Sequence, residues 1–336
     1  MTTIRHVAAI AGVSIATASR ALSDSPLVTE PTKQRVIRAA AELDYTPSRV
    51  ARSLVTGLTG NIGVIVPDLT NPFHSWFLAG LESKLGAHKI GILIGDSRES
   101  RESEYDLMRR MSTQVDGLVL ASSRLTDEQI VSATARLPVV LANRMLHGAE
   151  APPRLSQMVI DVDPGFSAAV HHLHTLGHSS LTYVDGPSQS WSGAQKRSVL
   201  SRTCREVGMA LTIVQTGLIG FEAGREAGRS IARGAATQGT TAVMTFNDQV
   251  ALGVLSAFRD LDVAVPGRIS IVGCDDSLPD GLAWPALTTV DGSAQKLGVL
   301  TAERILDPTA HQLGSVPTWL TVRQSTASPS AASAPE

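Results

Sequence analysis

Apolar residues recur at helical spacing through the first 45 positions, with no alternating strand pattern among them. Ile4, Val7, Ala8 and Ala11 share one face of a first helix, which Thr3 is placed to cap and Gly12 to end. Ser14 is placed to cap a second helix over Ile15 to Leu22, and Thr29 a third, whose buried stripe is expected at Val36, Ile37, Ala40 and Leu43. The tight Ala11-Gly12-Val13 connection makes the first two helices a helix-turn-helix, with the second helix available to a major groove. After Gly57 and Gly60 the pattern changes. Apolar runs at Ile62 to Val66, Ile90 to Ile94, Leu118 to Ala121 and Val139 to Leu141 alternate with helical stretches. Later runs follow at Val159 to Asp161, Leu181 to Val184, Leu211 to Val214, Ala242 to Thr245 and Ile269 to Gly273. Strand, helix, strand repeated this often implies parallel sheets wound on both faces. About 260 residues of this pattern, with a Pro-rich break near Ala151-Pro152-Pro153, imply two lobes rather than one sheet.

Composition narrows the class. A chain of 336 residues exceeds one domain at roughly 150 residues each. With 43% hydrophobic but only 4% aromatic residues, its interior is aliphatic, as in α/β proteins. No run reaches the roughly 18 apolar residues that span a bilayer, and the N-terminus lacks the layout of a signal peptide. A cytoplasmic protein with no membrane partner is expected. Cys204 and Cys274 are far apart and lack zinc-ligand spacing, so they are expected to be buried small side chains, with neither a disulfide nor a metal site.

The net charge of −2 hides an asymmetry. Up to residue 59, Arg5, Arg20, Lys33, Arg35, Arg38, Arg49 and Arg52 face Asp24, Glu30, Glu42 and Asp44, a balance of +3 that leaves −5 for the rest. A basic head on an acidic body is expected where one module meets phosphate and the other does not. His171, His174 and His178 are spaced so that one helix face could bind a metal, but no catalytic dyad, triad or phosphate loop accompanies the lobes. No cofactor and no enzyme activity are expected. An enzyme or plain solute-binding protein of the same sensor fold is the rival reading, and the first 54 residues are what it fails to explain.

The stretch Ile4-Arg5-His6-Val7-Ala8-Ala9-Ile10-Ala11-Gly12-Val13-Ser14-Ile15-Ala16-Thr17-Ala18-Ser19-Arg20-Ala21-Leu22 closely resembles the head of the LacI/GalR family of bacterial regulators. Leu43 to Leu54 resembles that family's hinge. The resemblance continues through Gly63-Val64-Ile65-Val66-Pro67-Asp68-Leu69-Thr70-Asn71-Pro72-Phe73, Leu176-Gly177-His178, Asn247-Asp248, Val272-Gly273-Cys274-Asp275-Asp276 and Pro285 to Val290, and so reaches about Ser325. Two departures stand in the head. His6 replaces the usual first-turn Asp, losing a favourable helix-terminus charge worth ~0.3–1 kcal/mol, and Thr17-Ala18-Ser19-Arg20 stands for Thr-Val-Ser-Arg.

The resemblance implies a small all-α helix-turn-helix head plus an α/β periplasmic-binding-protein-like sensor of two doubly wound parallel-sheet lobes. The implied divisions are a DNA-binding domain over 1–46, a hinge helix over 47–57, a two-lobed sensing and dimerisation domain over 58–325, and a disordered tail over 326–336, already begun at Ser325. The chain of such folds crosses between lobes three times. Leu58 to Asp161 and the segment after about Val290 would form one lobe, and Val162 to Thr289 the other. The implied function is that of a sequence-specific transcription regulator, by default a repressor. As a homodimer it would bind palindromic double-stranded operator DNA under control of a small polar effector such as a sugar.

A recognition helix needs short side chains that reach base edges and donors that fix its register on phosphate. Ser14, Ile15, Ala16, Thr17, Ser19 and Arg20 supply both, with Ile15 and Ala16 at the family's specificity positions and Arg20 suited to a guanine. Thr3, Tyr45, Ser48 and Ala51 are further implied DNA contacts. In the hinge opened by Pro47, Arg49 and Arg52 would flank phosphates while Leu54 wedges into the minor groove. So short a helix should fold only on DNA.

A polyhydroxylated ligand needs polar groups at the C-terminal ends of parallel strands, with apolar faces against its ring. Asp275 and Asn247 match the family's ligand-binding positions. Arg144 beside Asn143 and Asp96 with Ser97 end other strands, and Phe73 and Trp191 offer stacking faces. After Gly186-Pro187, where many relatives carry a ligand-binding Arg, this chain has Lys196 followed by Arg197, a point donor where a fork is usual.

Overall fold

The computed structural model describes residues 2–45, 57–147, 151–234, 239–279, 282–307 and 313–329. It divides into two units, Met1–Gly60 and Asn61–Glu336. Of the expected hinge, everything before Gly57 lies outside the described residues, including Ser48, Arg49, Ala51, Arg52 and Leu54.

The first unit holds α1 (Ile4–Ala11), α2 (Ile15–Leu22) and α3 (Glu30–Glu42). Gly12 takes φ 63° and its N–H, with that of Val13, caps the last carbonyls of α1, a left-handed stop that glycine adopts without strain. His6 does more than leave a charge behind. Its Nδ1 accepts the Thr3 backbone N–H at 3.3 Å, the return half of a capping box normally made by an acid. The core of Val7, Ala8, Ala11, Ala18, Ala21, Val36, Ala39 and Ala40 is built mostly from alanines, which let the three helices approach closely. In α3 the expected stripe is corrected at one place: Ile37 is 46% exposed and Ala39 is buried instead. At 100° per residue Ile37 falls on the flank of the face set by Val36, Ala40 and Leu43. Thr29 precedes α3, but its hydroxyl contacts that of Thr32 at 3.1 Å and caps no backbone N–H.

Among its described residues the second unit has two six-stranded sheets. The first contains β1 (Asn61–Val66), β2 (Gly91–Asp96), β3 (Gly117–Ala121), β4 (Val139–Ala142), β5 (Leu155–Asp161) and β11 (Gly314–Pro317), in the order 11-5-4-3-1-2, all pairs parallel. The second contains β6 (Ser180–Asp185), β7 (Ala210–Gln215), β8 (Ala242–Thr245), β9 (Ser270–Cys274), β10 (Thr288–Asp291) and β12 (Trp319–Thr321), in the order 12-10-9-8-6-7. Only β12 runs antiparallel there, against β10. The intervening helices are α4 (Pro72–Leu85), α5 (Arg101–Met111), α6 (Asp127–Thr134), α7 (Asp163–Thr175), α8 (Trp191–Val207), α9 (Phe221–Ala232), α10 (Asp248–Asp260) and α11 (Ala294–Leu306). Among the described residues no helix is long and apolar enough to cross a membrane.

The lobes exchange chain after β5, after β10 and again after β11. The segment following Val290 therefore does not belong to one lobe as expected: α11 and β11 complete the first lobe, and β12 returns to the second sheet. The third crossing is tied to the first, because Thr318 N–H and Oγ1 both donate to the Asp161 carbonyl while Thr318 Oγ1 accepts the Gly165 N–H at 2.9 Å.

The supposed disordered tail is also held at its start. Ser325 is fully buried, its carbonyl accepting from Ile271 N–H and its hydroxyl from Thr288 N–H, and the Ala327 carbonyl meets His178 Nε2 at 3.0 Å. Small polar residues that read as low complexity serve there as partners for the N-terminal ends of β9 and β10. His178, beyond the end of α7, does not share a helix face with His171 and His174. Cys204 and Cys274 are free and buried.

Candidate DNA-reading helix and effector cleft

Helix α2 turns Ala18 and Ala21 into the head core and leaves Ile15, Ala16 and Arg20 exposed, with Thr17 and Ser19 half-buried between. Ser14 begins it, its Oγ accepting the Thr17 N–H at 3.0 Å and meeting Thr17 Oγ1 at 2.8 Å. Those two hydroxyls are thus partly committed to the cap, whereas Ser19 and Arg20 carry no such bond to it. Thr3 is exposed at the start of α1, and Tyr45 packs half-buried against the head core with its N–H on Ala40 O.

Both sheets run 2-1-3-4-5 over five of their strands (β2-β1-β3-β4-β5 and β7-β6-β8-β9-β10), an order that opens a crevice at strand C-termini where the winding reverses. The two crevices face one another. From the first lobe the shared cleft is lined by Pro67 after β1, Asn71, Phe73 and His74 at the start of α4, Glu99 after β2, Ser122 and Arg124 after β3, and Asn143 after β4. From the second lobe come Ser190, Ser192 and Lys196 at the start of α8, Ile219, Phe246 after β8 and Asp275 after β9. The space between these walls is about 40 Å³, room for a few water molecules at ~10–15 Å³ each. Ile219 also borders a groove of about 1220 Å³ that opens outward between Asp68, Thr70 and Gln249. Across that mouth Gln249 Nε2 donates to the Thr70 carbonyl at 3.0 Å, joining the lobes, and Asp68 Oδ1 holds the Thr70 turn from below.

Each wall carries one acid and one base. On the first lobe, Arg124 grips Glu99 Oε2 at 2.8 Å through both Nε and Nη2, and its backbone N–H donates to Glu104. Burial pushes Glu99 above the ordinary carboxylate range and Arg124 pulls it back. On the second lobe, Lys196 Nζ donates to the Phe246 carbonyl at 2.8 Å and lies 4.2 Å from the centre of that ring. Burial likewise raises Asp275, against the pull of Lys196. His74 is fully buried and burial lowers its pKa to about 4, so it is neutral at pH 7. Its Nδ1, with Asn143 Oδ1, makes no hydrogen bond within the described chain, and both line the cleft. The walls are close to charge-balanced, with unused hydrogen-bonding capacity on neutral groups: a surface suited to a neutral ligand rich in hydroxyls.

Of the ligand positions read from sequence, Phe73, Lys196 and Asp275 meet in this cleft. The ambiguity at Lys196-Arg197 is resolved locally, because Arg197 turns back to the fully buried Asp185 at 2.5 Å and leaves the cleft to the lysine. The other positions lie outside the lining. Asp96 binds the Arg98 N–H at the edge strand, and Ser97 is buried behind it. Arg144 is buried against Asp127 at 2.6 Å while Asn143 takes the cleft side. Trp191 gives way to Ser190 and Ser192, and Asn247 caps α10 through Val250 N–H. Sequence reasoning missed Arg124, Glu99, His74 and Phe246. Arg124 was within reach, since Ser122-Ser123-Arg124 follows the Leu118 to Ala121 strand and obeys the same strand-end rule.

A helix-turn-helix head followed by a two-lobed, thrice-crossed domain with a polar cleft at its strand ends defines a DNA-binding regulator with a periplasmic-binding-protein-like sensor. The chain belongs to the LacI family of bacterial transcriptional regulators. Residues 3–48 match the family described as bacterial regulatory proteins, lacI family, and residues 170–326 the periplasmic binding protein-like domain. The HTH-type transcriptional repressor CytR of Escherichia coli (strain K12) is 31% identical over 302 residues, 88% of this chain and 86% of its own length. Among solved structures, the lac repressor dimer bound to operator and the anti-inducer ONPF shares the fold at TM-score 0.84, with 24% identity over 97% of this chain and 99% of that one. A LacI-family regulator from Enterococcus faecalis V583 with bound ribose aligns at TM-score 0.68 and 26% identity, over 80% of this chain and 99% of that one. The relatives are transcriptional regulators, not enzymes.

Proposed function

We propose that this regulator is a cytoplasmic repressor that binds a palindromic operator as a homodimer and is controlled by a neutral sugar or sugar derivative held in the inter-lobe cleft. The carrying observation is the cleft itself. The Glu99–Arg124 pair, an uncharged His74 and an unused Asn143 acceptor face Asp275, a position that the family resemblance singles out, and Lys196, which stands where many relatives carry an Arg. Ribose in a related structure supports a sugar as the ligand class. Ligand pockets commonly hold about 300–1,000 Å³, so the lobes must part at the Gln249–Thr70 contact to admit one and re-close around it. On the DNA side, Ile15 and Ala16 of α2 fit against thymine methyls and Arg20 against a guanine edge. The hinge would then set Arg49 and Arg52 beside phosphates and Leu54 in the minor groove. Footprinting on the DNA flanking the protein's own gene, repeated with D-ribose, cellobiose and other neutral sugars, tests the whole reading. The expected result is a two-fold symmetric footprint whose occupancy one sugar changes, and Arg20→Ala should weaken it by ~1–3 kcal/mol.

The dimer is supported by an apolar face on the second lobe. Trp284 is 85% exposed beside exposed Leu282 and Phe221, bordering a groove of about 710 Å³ over Leu252, Leu255, Val263 and Val265. Exposed apolar residues clustered on one face mark association surfaces. Trp284→Arg is expected to shift the protein to monomer by light scattering at micromolar concentration. An unchanged dimer mass would place the interface elsewhere.

A further inference from the structure

The loop that presents Asp275 holds an unusual backbone. Asp275 has φ 100° and Asp276 φ 46°, two consecutive side-chain-bearing residues in territory that favours glycine. Such a conformation persists only when its surroundings over-determine it. The Asp275 N–H donates to Val290 O at 2.7 Å, and Cys274 Sγ donates to Asp275 Oδ1 at 3.3 Å. The strongest hold comes from far along the chain. Arg323, just past β12, forks onto the Asp276 carboxylate, Nη1 to Oδ1 at 2.8 Å and Nη2 to Oδ2 at 3.1 Å. Arg323 is itself fixed, with Nη1 donating to Leu287 O at 3.0 Å and its backbone N–H to Thr288 Oγ1 at 2.9 Å. Both side chains are about four-fifths buried. Asp275 and Asp276 repel both Asp248 and Asp291 at this corner, and Arg323 is a cation that acts on Asp291 as well.

We propose that Arg323 is a positioning residue of the effector site: by clamping Asp276 it holds the left-handed turn that aims the Asp275 carboxylate into the cleft. Arg323 itself does not line that cleft. The proposal rests on the reading of Asp275 as an effector contact, and the experiment separates the two.

Full-length wild type, Arg323→Met, Arg323→Lys, Asp276→Asn and Asp275→Asn are compared by hydrogen–deuterium exchange and by calorimetric titration with D-ribose. Arg323→Met should speed exchange of the amides of 275–277 about 10-fold or more through local opening, and by more than it speeds exchange elsewhere in the second lobe. Arg323→Lys should fall between it and wild type, because lysine keeps the charge but not the fork. Asp276→Asn added to Arg323→Met should do no further harm, as expected of partners in one interaction. Unchanged exchange in Arg323→Met overturns the clamp, and this arm decides without any sugar. If Asp275→Asn loses D-ribose while Arg323→Met keeps wild-type affinity, the positioning claim fails and the effector reading stands. If Asp275→Asn binds D-ribose as wild type does, the effector reading fails.

Discussion

Asp275→Asn is expected to weaken effector binding by about 100-fold while leaving operator affinity without effector unchanged. A charged hydrogen bond contributes ~1.5–3 kcal/mol, and the substitution also removes the acid that balances Lys196. The Lys196 Nζ would be left on the Phe246 carbonyl and over the Phe246 ring. The head is a separate unit and should fold and bind DNA as before. The protein would then be locked in its effector-free behaviour, read as an operator complex that no added sugar alters. Retained sugar response in Asp275→Asn would move the effector site away from β9.

Gly80→Val should be the most destabilising of the single changes considered, by about 3 kcal/mol or more, because it overpacks backbone rather than side chain. A Cβ at Gly80 would stand 2.1 Å from the carbonyl oxygen of Gln295, and one at Gly298 would stand 2.1 Å from that of Phe77. Helices α4 and α11 thus cross with their backbones touching, and neither can yield without separating the pair. The same device recurs in the second lobe, where Gly224 faces Val250 O of α10 and Gly253 faces Phe221 O of α9. A melting temperature lowered by roughly 6–12 °C is expected for that loss in a domain of this size. Melting that matches wild type would mean that the crossing is looser than it stands here. Since α4 also carries Asn71, Phe73 and His74 into the cleft, partial separation should weaken effector binding along with stability.

Local chemistry was legible wherever one short segment sufficed. The three head helices, their order and the Ser14 cap follow from spacing and capping residues, and the alternating strand runs announce parallel sheets before any contact is known. His6 shows where that reading stops. As an isolated letter it is a lost charge, but in place its ring nitrogen returns the bond that an acid would have made to Thr3. Ile37 departs from the expected stripe for a related reason, since periodicity leaves flank positions undecided until a neighbouring helix either covers them or does not.

What the sequence determined by itself is the class of protein: a basic helix-turn-helix head with Ile15, Ala16 and Arg20 outward, joined to an α/β sensor that bears Asp275 and Lys196. Tertiary structure alone decided which strand ends face each other across the cleft. It brought Arg124, Glu99 and His74 to the wall, turned Arg144 and Arg197 away to Asp127 and Asp185, and returned the chain after β11 to the second lobe so that Arg323 meets Asp276. The physical reason is range. Caps, turns and periodicity act within a few residues and are written in order along the chain. A buried charge, by contrast, takes whichever partner the packing of distant segments supplies, and that choice exists only once both sheets are wound.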